Sequence, residues 1–192
     1  MKTNLRLFLG IPIPAETRAP IVALQEKVKG RLGGWRVVPS PNWHVTVHFL
    51  GEVESTKVPP LEKWLRSLTV PKLPMLAWCE WFAFPKPESA TTAGLAAPSA
   101  AAWDRWVKEL ATGLTALGYR TEKRAFVPHL TLFRRREGLA TTLPSEAPDF
   151  PFRPQKLCLY DSQLTPTGSV YTVRVEKSLI QGTKNLKAFK EI

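Results

Sequence analysis

Two short segments of this chain repeat one pattern: a histidine, an apolar residue, a threonine and a second apolar residue. The first copy begins at His44 and the second at His129. Both segments are rich in apolar and β-branched residues, which predicts β-strands. Side chains alternate between the two faces of a strand, so each histidine shares a face with the threonine two residues later. Two such strands facing each other would place two imidazoles and two hydroxyls around one small anion.

The rest of the chain predicts strands and helices arranged so that each half contains one motif strand. The order is strand, helix, motif strand, helix, two strands, helix, motif strand and two strands. We expect Ser55 and Ser99 to cap the second and third helices, and Gly118 to end the third. The pattern predicts a single α+β domain over residues 1–192. It would have two similar lobes, with antiparallel-rich sheets flanking a central cleft and helices on the outside.

Several local features are predicted with definite bounds. We expect the first helix to end at Gly33-Gly34, one strand to run from Met75 to Phe84, and a proline-rich loop to cover Leu143 to Pro154. Residues Thr165 to Gly168 are typical of a hairpin turn between the last two strands. The polar and basic tail from Gln181 is interpreted as a loose end.

The charge of the chain favours a partner rich in phosphate. Lys and Arg number 27 against 16 Asp and Glu, which gives a formal net charge of +11 and a pI near 10.0. Such an excess is typical of proteins that bind nucleic acid, with anionic membranes as the second possibility.

The apolar segments indicate a cytoplasmic protein that does not enter a membrane. Cys79 and Cys158 lie in apolar runs, so we expect buried free thiols, as in a reducing compartment. No segment has the apolar length of a signal peptide or of a membrane-spanning helix.

A pair of histidines suits metal-free displacement at phosphorus. One imidazole can take a proton from the incoming oxygen while the other protonates the leaving oxygen, both near pH 7. The hydroxyls of Thr46 and Thr131 can hold phosphate oxygens, and the run Arg134-Arg135-Arg136 adds fixed positive charge. A lone histidine on a strand is usually structural, but two in matching contexts favour this chemistry.

Other catalytic classes fit the sequence less well. His44 and His48 would lie roughly 13 Å apart on a strand, too far for one zinc ion. Neither motif core contains an acidic residue, and G-x-S-x-G, Walker-type and Rossmann glycine motifs are missing. We therefore predict no metal site and no cofactor.

The motifs resemble the twin H-x-T-x signature of the two-histidine (2H) phosphoesterases. More narrowly, the chain is similar to their RNA 2′,3′-cyclic phosphodiesterase branch, historically called 2′-5′ RNA ligase. The resemblance rests on HVTV from His44 and PHLTLFR from Pro128, with RLFLGI from Arg6 and FLGE from Phe49 in support. It covers nearly the whole chain.

The resemblance implies a metal-free, bilobal α+β enzyme. Its reaction would hydrolyse a terminal 2′,3′-cyclic phosphate on RNA to a 2′-phosphate, with reversible 2′-5′ ligation as a side activity. By residue, it implies that His44 is the proton donor and His129 the proton acceptor, and that the phosphate is bound by Thr46, Thr131 and Arg134. The implied partners are RNA ends or oligonucleotides bearing the cyclic phosphate, and we expect a monomer without an obligate protein partner.

Two other functions stay open. A related phosphodiesterase would act on small cyclic nucleotides or 2′-5′ oligoadenylate. A noncatalytic RNA-binding module would bind phosphate through the motifs without turnover, and the net charge favours all three equally.

The arginine run also allows two arrangements. Strict alternation puts Arg135, not Arg134, on the face of His129. The family pattern points to Arg134, which we favour, and which requires the strand to end or bulge near Phe133.

Three further residues near the motifs have two interpretations each. By alternation His48 shares the face of His44 and would line the cleft, although we favour a structural role. Phe8 and Tyr160 are able to stack on a base, but we favour the core for both.

Overall fold

Ten β-strands and three α-helices make up the part of the chain that the computed structural model describes, residues 4–122, 124–146, 149–166 and 168–180. The predicted loose tail from Gln181 lies outside these residues. The helices are α1 (Arg18–Lys29), α2 (Val58–Ser67) and α3 (Ala101–Ala116). The strands are β1 (Asn4–Pro12), β2 (Arg36–Val37), β3 (His44–Glu54), β4 (Leu76–Trp78), β5 (Glu80–Phe84), β6 (Ala90–Ala96), β7 (His129–Leu139), β8 (Phe150–Phe152), β9 (Lys156–Thr165) and β10 (Gly168–Ser178).

Eight of the strands form one antiparallel sheet with a narrow middle. Its order is β10-β9-β1-β3-β7-β6-β5, with β2 paired to the other part of β7. The two motif strands, β3 and β7, meet at the single residue pair Val45 and Leu130. The remaining neighbours pair over longer stretches, so the sheet consists of two halves joined at this pair. The predicted α+β fold with antiparallel sheets is confirmed.

Each helix buries one apolar face, as its sequence spacing predicts. The residues that it contributes are Ile21 and Val28 from α1, Val58, Leu61 and Leu65 from α2, and Trp103, Trp106, Val107, Leu110 and Leu114 from α3. All belong to one core cluster with most of the buried side chains of the strands, while Phe8, Cys158 and Tyr160 form a smaller second cluster. Burial of a large apolar side chain contributes about 1.5–3 kcal/mol, so this core is what holds the motif strands in place.

The predicted serine caps are wrong, whereas the glycine end of α3 is confirmed. Ser55 lies in a 3₁₀ turn before α2, whose N-cap is Lys57 without a side-chain hydrogen bond. Ser99 donates its hydroxyl to the Asp104 carboxylate instead of capping α3. Gly118 has φ +84°, and its N–H donates to the Thr115 carbonyl at 2.9 Å, which closes the helix as a glycine C-cap does.

Three predicted bounds differ from the structure. Helix α1 ends at Lys29, and Gly33-Gly34 follows in a separate turn. The strand predicted over Met75 to Phe84 is divided, because β4 pairs with β8 while β5 pairs with β6. The proline-rich segment therefore contains a short strand, β8, instead of forming a loop throughout. The hairpin between β9 and β10 is confirmed.

The prediction that both cysteines are buried free thiols is confirmed for one of them. Both thiols are free, and Cys158 is buried, but Cys79 is exposed where β4 gives way to β5. Across the described ranges no helix combines the length and the apolar character needed to span a membrane.

Candidate active site

The contact between the motif strands brings both histidines and both threonines to one place. Val45 pairs with Leu130 in antiparallel register, so His44 lies beside Thr131 and Thr46 beside His129. These four side chains are half-buried, while Val45 and Leu130 point into the core. An approximate two-fold axis therefore relates the copies, and each histidine has the threonine of the other copy next to it.

Each motif strand contains one extra residue directly after its threonine. On β3 the extra residue is Val47, and on β7 it is Leu132, because the partner strands β1 and β6 have no residue to match them. Such a bulge shifts the alternation of faces by one. As a result Val47 and His48 are both buried in succession, as are Leu132 and Phe133.

The bulge on β7 turns Arg134 towards the motif residues. Arg134 lines the same cavity as His129 and Thr131. Arg135 points elsewhere: its Nε donates to the Ala90 carbonyl at 2.7 Å, and its guanidinium lies 4.3 Å from the centre of the Trp35 ring. Of the two arrangements that the sequence allows, the bulge near Phe133 is the observed one.

The bulge on β3 moves His48 off the face of His44. Its side chain is 4% exposed, and its Nε2 forms a 2.9 Å hydrogen bond with the Val107 carbonyl of α3. Burial lowers the pKa of this imidazole, which favours its neutral form. His48 is among the residues that line the cavity, but it is almost fully buried and bonded to α3, and we interpret it as a structural residue.

Two glycines allow the bulged strands to approach their neighbours. Gly10 on β1 pairs with Thr46, and Gly94 on β6 pairs with Thr131. A Cβ on Gly94 would lie 2.0 Å from the Leu130 carbonyl oxygen, and one on Gly10 would lie 3.3 Å from that of Val45. The repeat therefore extends beyond the motifs to the strand beside each of them.

The backbone fixes the orientation of both imidazoles in the same way. His44 Nδ1–H donates to the Asn42 carbonyl at 2.7 Å, and His129 Nδ1–H donates to the Val127 carbonyl at 2.9 Å. This tautomer is assigned from the hydrogen bonds. It leaves Nε2 of each ring available for proton transfer.

The two histidines differ in their surroundings. His44 is enclosed by three aromatic rings, with centroid distances of 4.8 Å to Phe8, 5.1 Å to Tyr171 and 5.9 Å to Tyr160. The expectation that Phe8 and Tyr160 belong to the buried part of the protein is confirmed. His129 has one described ring contact, an edge-on contact with Phe82 at 5.3 Å.

The enclosure of His44 favours its neutral form. Burial lowers the pKa of His44 from 6.5 to about 4, and the hydrogen bond to Asn42 offsets part of this effect. The nearby positive charges of Arg134 and His129 lower the pKa further. The approximate symmetry of the backbone thus does not extend to the electrostatics.

A buried glutamine supports the bulge that orients Arg134. Gln25 on α1 is 4% exposed, and its Nε2 donates to the Leu132 carbonyl at 2.9 Å and to the Val38 carbonyl at 3.1 Å. Trp43, directly before His44, donates its indole N–H to the same Val38 carbonyl at 2.9 Å. One network of hydrogen bonds therefore connects the arginine side of the site with the His44 side.

Of the four motif residues, His44 lies next to Thr131 outside the lining, and Thr46, His129 and Thr131 line a cavity of about 580 Å³. Its polar end contains Thr46, His129, Thr131 and Arg134, and four phenylalanines, Phe49, Phe82, Phe84 and Phe126, line other parts of the wall. A polar anion site beside aromatic walls has the character of a nucleotide pocket. Within the described part of the chain no three His, Cys, Asp or Glu side chains are grouped as metal ligands.

The family model for LigT-like phosphoesterases matches residues 11–77 and 94–171, which include both motifs and Gly94. The chain belongs to the LigT-like phosphoesterase family. An RNA 2′,3′-cyclic phosphodiesterase of Methanocaldococcus jannaschii is 31% identical over 88% of this chain and 98% of its own length. One from Thermus thermophilus is 29% identical over 93% of this chain and 91% of its own length.

The fold is similar to that of solved structures as well. A crystal structure of a Thermus thermophilus protein has a TM-score of 0.75 and 28% sequence identity. The match covers 91% of this chain and 98% of that chain. The similarity thus extends over both halves of this LigT-like phosphoesterase.

Sequence reasoning about this LigT-like phosphoesterase missed the residues that support the motifs. Gly10 and Gly94 each stand between two apolar residues on a strand, and an isolated glycine in a strand indicates a bulge or a close backbone approach. That signal was present in the sequence. Gln25 gives no such signal, because a glutamine on a helix is usually exposed.

Proposed function

We propose that this protein hydrolyses a terminal 2′,3′-cyclic phosphate on RNA to a 2′-phosphomonoester without a metal ion. The observation that carries the proposal is the pairing of each motif histidine with the threonine of the other copy, beside Arg134. Membership of the LigT-like phosphoesterase family supports it, as does the activity named for the relatives.

In the proposed reaction His129 is the proton acceptor and His44 the proton donor. Nε2 of His129 takes a proton from a water molecule, whose oxygen forms a bond to phosphorus. The bond between phosphorus and O3′ breaks, and Nε2–H of His44 protonates the departing oxygen. The phosphate stays on O2′, and one proton has been taken up and one released.

The hydroxyls of Thr46 and Thr131 and the guanidinium of Arg134 bind the non-bridging phosphate oxygens in this proposal. Their charge and hydrogen bonds stabilise the additional negative charge of the transition state. Replacement of water by a 5′-hydroxyl would give 2′-5′ ligation at the same centre, and the reverse reaction exchanges the roles of the two histidines.

The donor role requires a proton on His44 when substrate is bound. A cyclic phosphate beside Arg134 and His129 offsets the two positive charges that lower the pKa of His44. An anion near the ring also favours imidazolium directly, so substrate binding raises this pKa.

The proposal is tested with an oligonucleotide that ends in a 2′,3′-cyclic phosphate, incubated with the protein in excess EDTA. We expect full conversion to the 2′-phosphate, identified by product mapping. Loss of activity on chelation or a 3′-phosphate product would contradict the mechanism. Binding without turnover would identify the protein as a noncatalytic module.

The acid limb of the pH profile should lie near pH 4. The reaction needs one proton on the histidine pair, and kcat/KM follows the fraction of free enzyme in that state. Because the pKa of His44 is lowered from 6.5 to about 4, the pair takes up a second proton only near pH 4. Arg134→Gln removes a positive charge that lowers this pKa and should move the acid limb to higher pH.

The control for this profile is Arg136→Gln, on the exposed part of the same strand, which should leave the acid limb in place. Tryptophan fluorescence at each pH would verify that the protein stays folded. An acid limb between pH 6 and 7 in the wild type would contradict the assignment.

A further inference from the structure

A second, smaller groove adjoins the catalytic cavity. Its volume is about 240 Å³, and Arg134 lines both this groove and the catalytic cavity. Its other lining residues include Arg36 on β2, Asn42, and Ser169 and Tyr171 on β10. Arg134 therefore lies between a pocket with aromatic walls and a groove that two arginines line.

Arginines from two paired strands line this groove. Arg36 is directly opposite Arg134 in the β2–β7 pair, and like charges at opposing positions of a strand pair are unfavourable. The Arg36 guanidinium extends to the β9–β10 turn, where a Cβ on Gly168 would lie 3.5 Å from Nη1. Arg134 has no carboxylate partner among the described residues. An anion in the groove would offset the repulsion between the two guanidinium groups.

Two of the residues that line the groove, Asn42 and Tyr171, contact His44. Asn42 accepts the hydrogen bond from His44 Nδ1, and its side-chain Nδ2 donates to the Ser169 carbonyl at 2.9 Å. Tyr171 contacts His44 edge-on on the same side. The contacts of Asn42 and Tyr171 with His44 thus place the groove next to the motif residues.

We propose that this groove binds a second phosphate of the substrate, the internucleotide phosphate that precedes the cyclic end. The proposal rests on the proposed function. The terminal base occupies the aromatic cavity, and the strand passes Arg134 so that its next phosphate contacts Arg36. The planar fork of a guanidinium matches phosphate oxygens, and a cyclic mononucleotide has no such phosphate to offer. The groove therefore selects RNA ends over small cyclic nucleotides.

The test compares kcat/KM for a trinucleotide ending in a 2′,3′-cyclic phosphate with that for the matching 2′,3′-cyclic mononucleotide. We expect the wild type to prefer the trinucleotide by about tenfold or more, which corresponds to about 1.4 kcal/mol. Arg36→Gln should bring this ratio close to one. It should also reduce the slope of log kcat/KM against log salt for the trinucleotide by about 0.7, the value for one phosphate contact on a single strand.

Arg136→Gln is the matched control, because it removes the same charge from an exposed position outside both spaces. It should leave the trinucleotide preference unchanged, and circular dichroism would verify the fold of both variants. Equal kcat/KM for the two substrates in the wild type would overturn the proposal, as would an unchanged ratio in Arg36→Gln. Mononucleotide hydrolysis in the same samples tests the proposed function separately, since it does not require the groove.

Discussion

Replacement of either motif histidine by alanine should reduce hydrolysis of a cyclic-phosphate oligonucleotide by at least about 10²–10⁴-fold, the usual contribution of a general acid or base. Each imidazole is oriented by its own backbone hydrogen bond, so neither can take over the position of the other. The measurement is single-turnover hydrolysis by His44→Ala and His129→Ala, with circular dichroism to verify the fold.

The third histidine provides the control for this prediction. His48 occupies the position after its bulge that Phe133 occupies in the second copy, and both side chains are buried. His48→Phe should therefore keep most of the activity, because the imidazole that it removes is buried and hydrogen-bonded to α3. Full activity in either motif variant would exclude the two-histidine mechanism. Oligonucleotide binding by both alanine variants, measured alongside, separates a loss of turnover from a loss of affinity.

Gly94→Ala should lower the free energy of unfolding by about 3 kcal/mol, at the upper end of the usual cost of overpacking. The added methyl would lie 2.0 Å from the Leu130 carbonyl oxygen and 2.9 Å from the Leu132 backbone nitrogen. These are backbone atoms of β7, so no rotation of a side chain can relieve the contact. Strand β7 must move away from β6, and we expect the activity to fall because Thr131 moves with it.

Two other glycines calibrate this measurement. Gly10→Ala, at the equivalent position beside β3, would have its closest contact, 3.1 Å, with the Phe8 side chain, so a smaller loss of stability is expected. A methyl on Gly33 meets no atom within 4 Å, and Gly33→Ala should be nearly neutral. Urea unfolding of the three variants gives the comparison. A loss in Gly94→Ala no larger than that in Gly33→Ala would contradict the close packing of β6 against β7.

The sequence predicts the elements that follow from local periodicity. The helical stripes and the alternation within each motif depend on residues close together in the chain, and the structure contains them. The positions of Arg134 and His48 depend on bulges, and a bulge exists only in relation to the partner strand. Alternation alone therefore gives the wrong face for both residues.

The errors at Ser55, Ser99 and Cys79 have a similar origin. A serine before a helix is a good cap by propensity, but here a 3₁₀ turn and a contact with Asp104 take precedence. The strand predicted across Cys79 is divided because its two parts pair with strands that are distant in sequence. Local sequence contains no record of these pairings.

The single residue pair between Val45 and Leu130 joins two similar halves of the sheet, and this arrangement has a consequence for the two histidines. Each half supplies one histidine and one threonine, and two identical halves related by a true two-fold axis would give both histidines the same surroundings. A general acid and a general base need different surroundings, and a single chain that contains both halves is able to provide them. In this protein the half of the sheet that contains β3 has Phe8, Tyr160 and Tyr171 around its histidine, and the half that contains β7 has the open pocket. In the proposed mechanism, the different roles of the two histidines thus come from the side chains that break the symmetry, on a backbone that nearly preserves it.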